Sequence, residues 1–137
     1  YSNRSGIETY YLALARDEDS RAVAACENRY AQTELNNLEV IIQNIMKNSK
    51  IEESVCFAES IQKSLIRNTG QINRGVKTAG FFVLIGAKMP SVLTEVGFVS
   101  NRNDRQLLKN EKYRLMIARA LFNGIVAYQN RLVSFNR

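Results

Sequence analysis

Hydrophobic and polar positions are spaced in three different ways along this chain, and each spacing predicts a different element. Residues 6–14, GIETYYLAL, combine alternation with aromatic and β-branched side chains, the signature of a strand. A polar break at 17–20 follows, and Ser20 is placed to cap a helix through SRAVAACENRYAQ. Within residues 35–46, Leu35, Leu38, Ile42, Ile45 and Met46 share one helical face, while Asn36, Asn37, Glu39, Gln43 and Asn44 fill the other. A further helix is predicted from Ile51, with Ile51, Val55, Ala58, Gln62 and Leu65 inward, ending before Gly70. Between Gly70 and Gly80 the sequence is polar and glycine-punctuated and reads as a loop. Two apolar runs, FFVLI at 81–85 and SVLTEV at 91–96, are set apart by Gly86 and Pro90 and read as short buried strands. Asn101 or Asn103 caps a short helix through Leu108. A last helix covers about 111–133, with Tyr113, Ile117, Ala120, Leu121, Gly124, Ile125, Tyr128 and Leu132 inward.

Strands interleaved with helices predict an α/β fold, a mixed or mainly parallel sheet flanked by helices. The 137 residues make one unit, but three strands for at least four helices are few for a self-sufficient sheet. The chain reads as part of a domain. Composition adds exclusions: 45% apolar and 23% charged residues rule out disordered and collagen-like chains, and no apolar run is long enough to span a membrane. Histidine is absent, which removes Ser-His-Asp and Cys-His nucleophiles and every His metal ligand. Catalysis therefore rests on carboxylates, Lys, Tyr, Cys or a partner. The net charge of +6 favours anionic partners. Its carriers, among them Arg16, Arg21, Arg29, Lys47, Lys50, Lys63, Lys77 and Arg102, are scattered, which argues against nucleic acid. The two cysteines, Cys26 and Cys56, lie in helix-like apolar surroundings and read as buried structural thiols.

One residue breaks its context. Glu95 sits inside VLTEVGFV, an otherwise apolar run. A carboxylate there is paired, protonated, metal-bound or placed at a strand end facing a cleft, unless it simply occupies the polar side of an alternating strand. Gly97 just after it permits a sharp exit or a close approach, which favours the strand end.

MPSVLTEVGFVSNRNDRQLL, preceded by INRGVKTAGFFVLIGAKMP, resembles the C-terminal half of the zinc-dependent N-acetylmuramoyl-L-alanine amidases of the type-3 family, and GIETYYL resembles the strand after that family's second zinc histidine. The resemblance covers nearly the whole chain. It implies that residues 1–137 form the C-terminal portion of one amidase catalytic domain, with the zinc ligands upstream of Tyr1. It implies hydrolysis of the amide between N-acetylmuramic acid and L-alanine of the stem peptide, with peptidoglycan as substrate, Zn2+ as cofactor and Glu95 as the catalytic carboxylate. Residues about 20–59 resemble the inserted helical segment of the division-associated branch, the pair Glu27-Asn28 included. That likeness implies autoinhibition by the helix at 35–46, an activator protein that binds this helix, and an acidic side chain filling the metal's open position. Glu27 is the first choice for that inhibitory ligand, with Glu34 and Glu39 behind it. Arg74 and Lys88 lie in loops that the resemblance places near the cleft, where a cation can meet stem-peptide carboxylates. It also implies a periplasmic or cell-envelope location. The alternative is a catalytically inert peptidoglycan-binding or regulatory fragment that lacks the zinc ligands.

Overall fold

The computed structural model describes residues 4–29, Ile42 and residues 50–135. Its elements run β1 (Ile7–Leu12), α1 (Glu18–Asn28), α2 (Ile51–Thr69), β2 (Asn73–Ala79), a 3-10 turn (Phe82–Leu84), β3 (Leu93–Glu95), α3 (Arg102–Lys109) and α4 (Glu111–Phe135). The sheet is mixed, in the order β2-β1-β3, with β2 parallel and β3 antiparallel to β1. The expected α/β class, a mixed sheet flanked by helices, is what the chain forms.

β1 is the central strand, and all six of its residues are buried. Successive side chains of a strand point to opposite faces. Tyr10 and Leu12 pack with Val23 and Ala24 of α1, together with Ile42. Ile7 packs with Ile61 and Leu65 of α2 and with Tyr113, Ile117 and Ala120 of α4. The molecule therefore has an α1 face and an α2/α4 face, and everything that follows depends on which face a side chain takes.

Several elements differ from the sequence expectation. The glycine-punctuated stretch after Gly70 is not a loop but β2, whose polar composition reflects an edge strand paired on one side only. FFVLI is not a strand but the 3-10 turn. Phe81 is buried edge-on against Tyr10, with ring centroids 4.9 Å apart at 67°. The Asn28 side chain takes up the backbone groups that a ladder would otherwise satisfy, donating to the Gly80 carbonyl (2.7 Å) and accepting from the Phe82 N–H (2.9 Å). The cap of α1 is Asp17, not Ser20, because the carboxylate accepts from the Ser20 N–H at 2.8 Å and leaves Ser20 buried in the first turn. Asn101, rather than Asn103, caps α3. On α2, Ile61 is buried and Ile51 and Val55 are half-buried, and on α4 Ile125 and Leu132 are exposed at 41% and 39%. The predicted helix at 35–46 lies outside the described residues except for Ile42, which is buried in the core cluster on the α1 face.

Candidate active site

Glu95 ends β3, directly opposite Glu8 of β1. Residues paired across a ladder project from the same face. Glu8 belongs with Tyr10 and Leu12, so Glu95 also projects toward α1. The chain leaves the strand at Gly97, whose φ of +149° lies in the left-handed region, and a Cβ there would stand 3.3 Å from the Leu108 side chain. Asp104 pins this exit. Its carboxylate accepts from the Phe98 N–H (2.9 Å), the Gly6 N–H (3.1 Å) and the Ser5 hydroxyl, tying the residues after Glu95 to the entrance of β1. Nothing in the sequence marks Asp104, because an acid in the first turn of a capped helix reads as an ordinary partner of the helix dipole.

Between α1 and this exit lies a cavity of about 470 Å³, lined by Val23, Cys26 and Glu27 on one side and by Glu95, Phe98 and Val99 on the other. The structure thus brings Glu95 and Glu27 to one cavity. Burial, then the Glu27 charge, then the Glu8 charge push the Glu95 carboxyl up to about 7. A group poised there exchanges protons at neutral pH, the property that a general acid–base catalyst needs. Cys26 is exposed at this cavity and Cys56 is half-buried, so the expectation of two buried thiols does not hold: Cys26 falls on the outward side of α1, next to Glu27.

Beneath the cavity sits an ion-pair network that depends on one irregularity. The register of β1 on β2 slips by one residue, from Ile7↔Asn73 to Thr9↔Val76, around Gly75 at φ +84°. In a regular strand, residues three apart face opposite ways. The bulge puts Arg74 and Lys77 on the same side, and both reach Glu8. Glu8 is fully buried; its carboxylate accepts from Arg74 Nε (2.8 Å), Lys77 Nζ (2.7 Å) and the Tyr10 hydroxyl (2.7 Å). Burial and the Glu8 carboxylate together hold the Tyr10 phenol well above its usual range. Arg74 also donates to Asp19 of α1 at 2.7 Å, Asp19 pairs with Arg4, and the Arg74 guanidinium stacks 5.3 Å from the centroid of the Phe98 ring. Gln62 closes the bulge from α2, donating to the Ile7 carbonyl and to Asn73 at 2.8 Å each.

Arg74 therefore touches one wall of the cavity but is engaged by two carboxylates of its own chain. Lys88 is exposed in the turn before β3 and does not line the cavity. Glu34 and Glu39 lie outside the described residues. Among the described residues no group of three or more Cys, Asp or Glu side chains is arranged to hold a metal. The two carboxylates at the cavity fall short of the three protein ligands of a catalytic zinc site, so a zinc centre here requires donors from outside the described residues.

The family model for N-acetylmuramoyl-L-alanine amidase matches residues 1–127. The chain belongs to that family. Among curated amidase relatives, LytC of Bacillus subtilis is 46% identical over 72 residues, 53% of this chain and 14% of that protein. AmiA of Salmonella typhimurium is 30% identical over 91 residues, 66% of this chain and 32% of that protein. The catalytic domain of CwlV, an amidase from Bacillus (Paenibacillus) polymyxa, superposes with a TM-score of 0.62 at 25% identity, covering 95% of this chain and 51% of that one. The CwlD amidase of Clostridioides difficile, solved in complex with the GerS lipoprotein, gives 0.61 at 25% identity, over 95% of this chain and 49% of that one. The chain spans about half the length of these amidase structures and a smaller share of the curated relatives.

Proposed function

We propose that this chain is the C-terminal portion of an amidase catalytic domain that cleaves peptidoglycan between N-acetylmuramic acid and the L-alanine of the stem peptide, and that Glu95 is its proton-transferring residue. The observation that carries this reading is the placement of Glu95 at a strand end, facing a cavity and half-buried beside two other carboxylates. Water attacks the amide carbon while Glu95 accepts a proton from it. The protonated Glu95 then gives that proton to the leaving amine as the C–N bond breaks. The Glu8 network supports this from below: Arg74 holds Asp19, and through it α1, and braces Phe98, so it fixes the width of the cavity. Arg74 acts on substrate through Phe98 more directly than through its own guanidinium. Zn2+, which the family resemblance implies, would draw its ligands from elsewhere, and no step above runs through it. A wall hydrolase works in the cell envelope.

The deciding experiment is Glu95→Gln in the active enzyme. General-base removal costs about 10²–10⁴-fold, so release of peptide from purified sacculi should fall by that factor while the melting temperature holds. Turnover within threefold of the parent would remove Glu95 from the mechanism.

A regulatory layer belongs to the same reading. Ile42 is buried on the α1 face, and Glu27 lines the Glu95 cavity. The segment at 35–46 would close over the groove, Glu27 would occupy the position that substrate needs, and an activator protein would bind the segment and hold it away. Ile42→Ser should then raise basal sacculus release. A lowered melting temperature with unchanged or reduced release would make Ile42 a core residue only.

A further inference from the structure

The α2/α4 side carries a second concavity on the opposite face of the sheet from Glu95. It measures about 860 Å³, inside the range of ligand sites. Lys63 and Arg67 of α2 line it together with Asn123 and Arg131 of α4. Lys63 and Arg67 lie one turn apart on α2, and only the packing of α2 on α4 brings Arg131 beside them. Glu59 is the one acid in the lining; it pairs with Arg131 at 3.3 Å, both side chains about half exposed. Lys63 and Arg67 meet no carboxylate among the described residues. The Ser60 and Ser64 hydroxyls are turned away, donating to the Cys56 and Ala120 carbonyls, which leaves ammonium, guanidinium and amide groups as the free donors. Solvated surface cations are common, but here three of them converge on one hollow with a single counter-charge and no large apolar wall.

We propose that this groove binds the free carboxylates of a peptidoglycan stem peptide other than the one being cut, a second contact between the enzyme and the wall. The identity of the anion rests on the amidase reading; the preference for a carboxylate peptide rests on the groove. Lys63 and Arg67 stand one helical turn apart, about 6 Å along the axis, and carboxylates two residues apart on an extended peptide lie about 7 Å apart. Arg adds planar two-point recognition of a carboxylate. Because cavity and groove lie on opposite faces, one short peptide cannot fill both. The groove tethers the enzyme to a neighbouring peptide and raises the local concentration of cleavable bonds on an intact wall.

The test is a titration of the full chain, labelled for amide NMR, with a soluble disaccharide-peptide fragment of peptidoglycan. Two sets of amides should move with separable affinities, one around Phe98 and Val99, the other around Lys63, Arg67 and Asn123. Lys63→Ala with Arg67→Ala should weaken the second set about tenfold and leave the first unchanged, and Glu59→Gln should tighten the second. A silent groove with a responding cavity overturns this proposal and leaves the amidase reading standing. A responding groove with a silent cavity leaves the groove assignment standing and removes only the peptide contact around Phe98 and Val99, and silence at both overturns both contacts. Polyphosphate is the control ligand: saturation of the groove at lower polyphosphate than peptide concentration would assign it to phosphate polyanions and overturn the carboxylate assignment.

Discussion

The two faces of the sheet treat charge in opposite ways. On the α1 face Glu8 is fully buried, and three donors from Arg74, Lys77 and Tyr10 reach it within 2.8 Å. On the α2/α4 face, Lys63 and Arg67 are exposed beside a groove and meet no carboxylate among the described residues. A buried charge demands partners because desolvation is expensive, whereas an exposed one costs little and stays available to a ligand. Glu95 stands between these extremes. It is half-buried, and burial together with the Glu27 and Glu8 carboxylates raises its proton affinity. Charge that holds the fold is compensated here; charge that is free to act on something else is left uncompensated.

The sharpest way to break that contrast is to remove Glu8. Glu8→Ala strands Arg74 and Lys77 against the sheet and should destabilise the chain by about 3–5 kcal/mol, the cost of breaking a buried pair from one side. Denaturant unfolding measures it. Replacing all three, Glu8→Leu with Arg74→Met and Lys77→Met, should cost much less, since no unpaired buried charge remains. If the single and triple variants lose equal stability, the loss reflects packing and the network is not compensating charge.

This network also marks where the sequence stopped being informative. α2 and α4 are legible because each buries a regular stripe, β1 because aromatic and β-branched side chains alternate along it, and Glu95 because a carboxylate interrupts an apolar run. Glu8 interrupts the strand IETYYL in the same way, but its partners lie 66 and 69 residues along the chain, outside any local pattern. β2 looks like a loop in the sequence because an edge strand needs few apolar residues, and Gly75, which resembles a loop residue, is the bulge that turns Arg74 and Lys77 to one side. The groove was invisible for a related reason: Arg131 is 68 residues beyond Lys63, and only the helix pair joins them.

A pH titration sharpens the middle of the comparison. Glu95 is raised from 4.5 to about 7, so between those values the folded chain holds a proton that the unfolded chain releases. Its contribution to stability is present below about 4.5 and is lost as the pH rises through 7. Glu27→Gln removes the second cause of the shift and should move the midpoint down without restoring 4.5, because burial, the larger cause, stays. Carboxyl carbon chemical shifts follow the residue directly. A midpoint at the ordinary carboxylate value in the parent chain would mean that the cavity is well hydrated and that Glu95 is not poised for proton transfer.

The smallest expected effect is the most discriminating between the faces. Lys63→Ala and Arg67→Ala remove two exposed cations that pair with no carboxylate among the described residues, so each should change the unfolding free energy by no more than about 0.5 kcal/mol. Lys77→Ala, by contrast, deletes one of the two cations on a buried carboxylate and should cost more than both together, even though the same side chain type is removed. Thermal unfolding of the three variants at low and high salt separates the cases: screening weakens exposed charge effects and leaves the buried pair nearly untouched. If Lys63→Ala or Arg67→Ala destabilised the chain as much as Lys77→Ala, those cations would be holding α2 against α4. They would then have no spare charge to offer a ligand, and the groove would be a structural seam.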